Sequence, residues 1–315
     1  MMGATRRPGL YILLYHRVRP GGDPFAEALP LATFEQQVAF LARNFRVGRL
    51  ESLVAGGLGR FREPTVAITF DDGHRDVLEH AFPVLQRHGL PASVYAVTDC
   101  ADGRELLWPE VIEHLFRETP ADRLAPGGAG PVGVGLPLTT LSERVAACRL
   151  VKERLKAIPD GARREAVESL GARLRVTDLS PLRRSALRWE ELRFLAGQGW
   201  GIGSHSRRHP ILSRLPEDEA VAEVVESKAR LEAEIGRPVT AFAYPNGKAA
   251  DFTPDLKAAI AKAGYRVALT TIFGVNQAST DPFELRRVYF ARRVLGSLPV
   301  RAAAWLRQLL AGESA

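Results

Sequence analysis

The chain has 315 residues and a formal net charge of +7, with 46% hydrophobic and 25% charged residues. That composition fits an ordinary globular protein and excludes a disordered, collagen-like or multi-span membrane chain. The basic residues are scattered, and no zinc-finger, helix-turn-helix or RNP pattern accompanies them, so no nucleic-acid partner is expected.

Seven segments carry the apolar, β-branched and aromatic content of strands: 10–15, 65–70, 92–97, 200–204, 239–244, 266–271 and 285–290. Helical patterns lie between most of them. Residues 33–44 put Phe34, Val38 and Leu41 on one face. Residues 76–88 end at Gly89-Leu90-Pro91, a C-cap glycine and a proline. Residues 215–235 open on Pro216 and three acidic side chains and close at Gly236, which suits the helix dipole. A further helix, 254–263, ends at Gly264. Such alternation predicts a parallel α/β sheet, open or closed into a barrel. The whole chain, 1–315, reads as one domain. Residues 101–187 hold no strand pattern and are expected to form a helical insertion over one end of the barrel. Its helices are predicted at 108–118, 141–158 and 160–175, around a Gly- and Pro-rich loop at 125–137. An amphipathic tail, 299–311, is expected to pack on the barrel or touch a membrane surface.

In parallel α/β folds the reactive side chains collect beyond the carboxyl ends of the strands. Here the first segment runs into His16, the second into Asp71-Asp72, the fourth into His205 and the fifth into Pro245-Asn246-Gly247. The seventh carries Arg286 and Arg287. Asp71 and Asp72 are adjacent on an extended segment, so they point to different sides and can take separate tasks, one as base and one as ligand. Asp-Asp-Gly is also ordinary turn chemistry. His205 and His209 are four apart, and on a helical turn that spacing puts both imidazoles on one side. One carboxylate and two imidazoles leave open positions, as in a catalytic metal site. The other reading is two solvated or capping histidines. His16 is either a satisfied, half-buried histidine or a proton donor at the barrel mouth. His74, His80, His88 and His114 have no such context and are expected to be structural.

Thr69-Phe70-Asp71-Asp72-Gly73 together with His205-Ser206-Arg207-Arg208-His209-Pro210 resembles the polysaccharide deacetylase family, the NodB-homology fold of carbohydrate esterase family 4. The resemblance spans roughly residues 10–298 apart from the insertion. It implies a distorted (β/α) barrel of about seven parallel strands. It also implies a divalent metal, zinc in most members, on Asp72, His205 and His209, with Asp71 as general base. The family's third motif usually reads Arg-Pro-Pro-Tyr-Gly after an apolar residue. The aligned run here is Ala243-Tyr244-Pro245-Asn246-Gly247, so the arginine that steadies the base is missing. Arg287 is the expected replacement, and Asn246 and Tyr244 are expected near the oxyanion and substrate. No late Leu-x-His motif supplies the usual acid. The opening Leu14-Tyr15-His16 resembles the branch with permuted motif order, as in biofilm poly-N-acetylglucosamine deacetylases, where an early histidine has that role.

The resemblance thus implies hydrolysis of acetyl groups, N-acetyl preferred, from an amino-sugar glycan or its precursor. The altered third motif leaves a non-catalytic glycan-binding or scaffold protein as the alternative. A glycosidase is disfavoured, because its two carboxylates must flank a bond about 5–9.5 Å apart. Cys100 and Cys148, the two cysteines, form no Cys-x-x-Cys pair. That fits a reducing compartment, with one disulfide left open. The apolar run 10–14 is too short for a signal core, and no run approaches the ~20 apolar residues of a membrane span. A cytoplasmic location is expected, and the basic balance would suit peripheral contact with the inner membrane face.

Overall fold

A computed structural model describes residues 8–26, 28–126 and 135–289. The seven expected segments become seven parallel strands: β1 (Gly9–Tyr15), β2 (Pro64–Phe70), β3 (Ser93–Ala96), β4 (Gly201–Ser204), β5 (Ala241–Ala243), β6 (Val267–Phe273) and β7 (Leu285–Tyr289). Each pairs with its neighbour in sequence, and β1 pairs with both β7 and β2, which closes the barrel. Closure leaves no free sheet edge in the ring. The β1–β2 seam is the longest, in register from Gly9 opposite Pro64 to Tyr15 opposite Phe70.

Side-chain alternation divides the core in two. Inside the barrel lie Leu10 and Ile12 of β1, Ala67 of β2, Tyr95 of β3, Ala241 and Ala243 of β5, and Leu285 of β7. Outside, Tyr11, Leu13, Val66, Ile68, Phe70, Phe242 and Val288 pack against the helices. The helices that cover them are α1 (Leu31–Asn44), α5 (Trp189–Gly197), α6 (Glu217–Ile235) and α7 (Pro254–Lys262). Between α1 and β2, helix Leu50–Val54 sends Leu50 and Leu53 into the inner cluster.

The predicted helix 76–88 is divided. A π-helical turn, Val77–Ala81, precedes an α-helix, Phe82–Arg87. Pro83 sits in the first turn of that α-helix and offers no N–H to the carbonyl four residues back, and the wider turn accommodates this. Sequence periodicity also missed α5, several very short strands such as Arg17–Arg19, and the antiparallel pair Arg123–Leu124 with Leu136–Pro137 that closes the Gly/Pro-rich loop.

Between β3 and α5 the insertion contains α2 (Trp108–Glu118), α3 (Leu141–Leu155) and α4 (Asp160–Arg173), close to the expected positions. They share a separate apolar cluster that includes Trp108, Ile112, Phe116, Cys148, Val151, Leu155 and Leu170. Both cysteines are buried free thiols. The tail 299–311 lies outside the described residues, and among the described residues no helix is long and apolar enough to cross a membrane.

Candidate active site

Strand parity delivers the site. The inward positions of β1, β2 and β7 continue into His16, Asp71 and Arg287, two or four residues beyond Ile12, Ala67 and Leu285. These three side chains line a cavity of about 450 Å³ together with Asp72, His74, His205, His209, Asn246, Thr271 and Tyr289. A larger hollow of about 680 Å³ shares Arg17, Glu110 and Glu113 with it but contains none of Asp71, Asp72, His205 or His209.

Asp71 is 2% exposed and Arg287 1%. The guanidinium donates to both carboxylate oxygens, Nη1 to Oδ1 at 2.7 Å and Nη2 to Oδ2 at 2.6 Å, while Nε donates to the Thr270 carbonyl at 2.6 Å. This fork-to-carboxylate geometry fixes the orientation of Asp71. Burial pushes the Asp71 carboxyl up. Arg287 and His205 more than offset it and hold the group below the usual carboxylate range, so it is ionised at neutral pH.

Asp72 has opposite parity and would point outward in a regular strand. Its φ of +69° turns it back over the cavity. Four of the five non-glycine residues with positive φ among those described belong to this site: Asp72, Ser206, His209 and Asn246. Such clustering is characteristic of functional sites, where surrounding contacts hold the backbone in a sparsely populated region. Asp72 Oδ1 lies 3.3 Å from His205 Nε2 and 3.2 Å from His209 Nε2. One ligand atom from each residue falls within 4.8 Å of the others.

The expectation that His205 and His209 share a helical turn is not met: they stand on an irregular loop after β4. Its shape comes from other residues. The His209 N–H donates to Ser206 Oγ at 3.0 Å. The carboxylate of Glu223, reaching in from α6 and 1% exposed, accepts the N–H groups of Arg207 and Arg208 at 2.9 and 2.8 Å. Glu223 was not legible in the sequence, since nothing local marks a helix glutamate as buried.

The cluster fits a divalent metal. Asp72 Oδ1 is buried and has no hydrogen-bond partner among the described residues. His205 Nδ1 lies 2.7 Å from the Ala243 carbonyl and must carry the proton, which leaves the Nε2 lone pair facing Asp72. Two imidazole nitrogens and one carboxylate suit zinc-type coordination with open positions.

His74, expected to be a surface or core residue, is buried and touches the metal-type cluster. It is 3% exposed, and its Nε2 donates to Asp72 Oδ2 at 3.1 Å. Its Nδ1 stands 3.2 Å from Glu110 Oε1, which pairs with Arg17 at 2.6 Å. Ser185 donates to the other Glu110 oxygen at 2.6 Å. A helix of the insertion therefore reaches, through one histidine, the carboxylate in the metal-type cluster. Its only sequence signal was its place two residues after the Asp-Asp pair.

Asn246 lines the cavity, its φ of +60° held by Nδ2 donating to Asp251 at 2.6 Å and its carbonyl accepting from Thr271 Oγ1 at 2.8 Å. Tyr244 does not reach the cavity. It has the outward parity of Phe242, stacks on Phe252 with ring centroids 4.5 Å apart, and donates its hydroxyl to the Phe283 carbonyl at 3.0 Å. His16 lines the cavity with its ring edge toward Tyr289.

Comparison with known proteins agrees with this picture. The curated protein YxkH of Bacillus subtilis (strain 168), named provisionally as a polysaccharide deacetylase, is 31% identical over 97 residues, which is 30% of this chain and 34% of YxkH. The chain thus matches about a third of that relative's length. Among solved structures, the Streptococcus pyogenes deacetylase PplD superposes with a TM-score of 0.59 at 16% identity, covering 92% of this chain and 95% of PplD. IcaB from Ammonifex degensii gives 0.58 at 21% identity, covering 96% and 98%. At these identities both share the fold. The sequence profile of the polysaccharide deacetylase family matches residues 59–121 and 154–268, more than half of the chain and inclusive of Asp71, Asp72, His205 and His209. The chain belongs to the polysaccharide deacetylase family.

Proposed function

We propose that the chain hydrolyses acetyl groups, with N-acetyl preferred, from an amino-sugar glycan or its precursor. The observation that carries this reading is the buried, doubly hydrogen-bonded Asp71–Arg287 pair standing beside the Asp72, His205 and His209 cluster.

Asp72, His205 and His209 would hold a divalent ion, most simply zinc, which when bound supplies Lewis-acid polarisation of the acetyl carbonyl and a more acidic water. Asp71, ionised and held by Arg287, takes the proton of the attacking water. As the carbon–nitrogen bond breaks, the amine must leave protonated, since an amide anion is a very poor leaving group. His16, at the cavity wall, gives that proton to the amine nitrogen. Acetic acid and the free amine are the products, which in water become acetate and the ammonium ion, and transfer of a proton from Asp71 to His16 restores both groups. The backbone near Asn246, at the cavity wall in a left-handed turn, is suited to orient the acetyl oxygen.

The non-catalytic alternative rested on the arginine missing at position 243. The pairing of Arg287, from β7, with Asp71 supports the catalytic reading over that alternative. The test is acetate release across matched N-acetylated and O-acetylated saccharides, with and without a chelator. Chelator-sensitive acetate release, greatest on N-acetyl substrates, is expected. Release of reducing ends in its place would overturn the assignment.

A further inference from the structure

One wall of the cavity has no part in the proposed chemistry. Helix α3 buries Ala147, Cys148, Val151 and Leu155 in the insertion's own core. Toward the cavity it turns Arg149, Lys152, Glu153 and, at its C-cap, Lys156. The spacing i, i+3, i+4, i+7 is that of a single helical stripe. Residues 122–153 fall between the two segments that the family profile matches, so most of this stripe lies outside the shared pattern.

The charges on that wall do not balance. Deeper in the cavity, Asp71 is matched by Arg287, Glu110 by Arg17 and Glu113 by Lys152 at 2.7 Å, while Asp72 faces His74, His205 and His209. At the mouth Glu153 stands alone against three cations. Lys156 lies 2.6 Å from it, and Lys248 reaches it at 3.7 Å from the loop that follows Asn246. Arg149 is exposed and makes no ion pair among the described residues. A solvated helix face explains one stripe of charge. It does not explain why a cation from a second element, Lys248, converges on the same opening. The surplus is positive and lies at the rim of a cavity that also contains a metal-type cluster.

We propose that Arg149, Lys156 and Lys248 form an anion subsite at the mouth. It selects acetylated saccharides that carry a carboxylate or phosphate near the reacting sugar. This rests on the deacetylase reading of the same cavity. Exposed ion pairs are individually weak, and three together give a preference of about tenfold. The preference should fall with added salt, because the subsite is open to solvent.

The experiment uses three N-acetylated tetrasaccharide probes: a neutral one, one with a uronic carboxylate and one with a phosphomonoester. Calorimetric binding and acetate release are both measured. The expected result is about tenfold tighter binding and lower KM for at least one anionic probe, eroded by salt. Arg149→Gln/Lys156→Gln/Lys248→Gln should bring that preference toward unity. Arg43→Gln/Lys262→Gln, which removes cations that do not line the cavity, should retain it. A preference for the neutral probe, equal binding of all three, or a preference kept by the triple variant overturns the inference. Tighter binding of an anionic probe without any acetate release upholds the subsite and overturns the deacetylase reading. The carboxylate and phosphate arms separate the two sources of anion.

Discussion

Replacing Arg287 by Met removes the guanidinium and keeps much of the side-chain volume. It leaves Asp71, 2% exposed, without its counter-ion and without two hydrogen bonds of 2.7 and 2.6 Å. Breaking one side of a buried ion pair costs about 3–5 kcal/mol, because the other charge remains desolvated. For a domain of this size that corresponds to a fall in Tm of about 6–10 °C. Differential scanning calorimetry measures it. Adding Asp71→Asn should recover part of the loss, since the orphaned charge is gone, so the two changes must be strongly non-additive. The pH–rate profile gives a second readout. Burial pushes the Asp71 carboxyl up, while Arg287 and His205 hold it down. Without Arg287 the base protonates at a higher pH, so the acid limb of acetate release moves upward. A Tm within about 2 °C of wild type, or additive losses in the double variant, would show that Arg287 does not neutralise a buried Asp71 charge.

Further outcomes follow from the same contacts. His74→Phe and Glu110→Gln should weaken metal affinity by about 10–100-fold, read by competition with a chromophoric chelator, because the ligand carboxylate loses its orienting partner; unchanged affinity would make His74 merely structural. Burial would raise the Glu110 carboxyl, but His74 and Arg17 hold it at about 2, below its ordinary 4.5. A depressed folded-state pKa gives stability that is complete above 4.5 and lost as pH falls toward 2. It amounts to about 3 kcal/mol. Glu110→Gln should therefore flatten the acid side of the stability curve, and an unchanged slope of unfolding free energy against pH would contradict this. His16→Ala should slow amide hydrolysis far more than hydrolysis of an activated acetyl ester, which needs no proton on its leaving group; equal losses on both would remove His16 from the acid role.

The barrel was legible because all seven segments had the apolar content of strands and five of them carried a candidate functional side chain at or just beyond the carboxyl end. All seven segments were found within two residues at each end. Parity explains the rest. Ala241 and Ala243 face inward, so Phe242 and Tyr244 face the helices, and an expected substrate contact at Tyr244 becomes a core tyrosine. The same counting leads from Leu285 to Arg287, which meets Asp71 across the barrel interior. What stayed hidden depended on partners far away in sequence. The importance of His74 comes from Glu110 and Ser185, and the His205–His209 loop is shaped by Glu223 on α6. Left-handed backbone at Asp72, Ser206 and His209 is likewise a tertiary outcome, since none of these residues requires it locally.

In the proposed reaction two adjacent aspartates have different tasks, Asp72 as ligand and Asp71 as base. One measurement on Asp71→Asn tests it: metal content and acetate release determined on the same purified protein. Metal bound in the wild-type ratio is expected, with acetate release lower by at least about a hundredfold. Normal acetate release from that variant, or loss of the metal with it, would contradict the division.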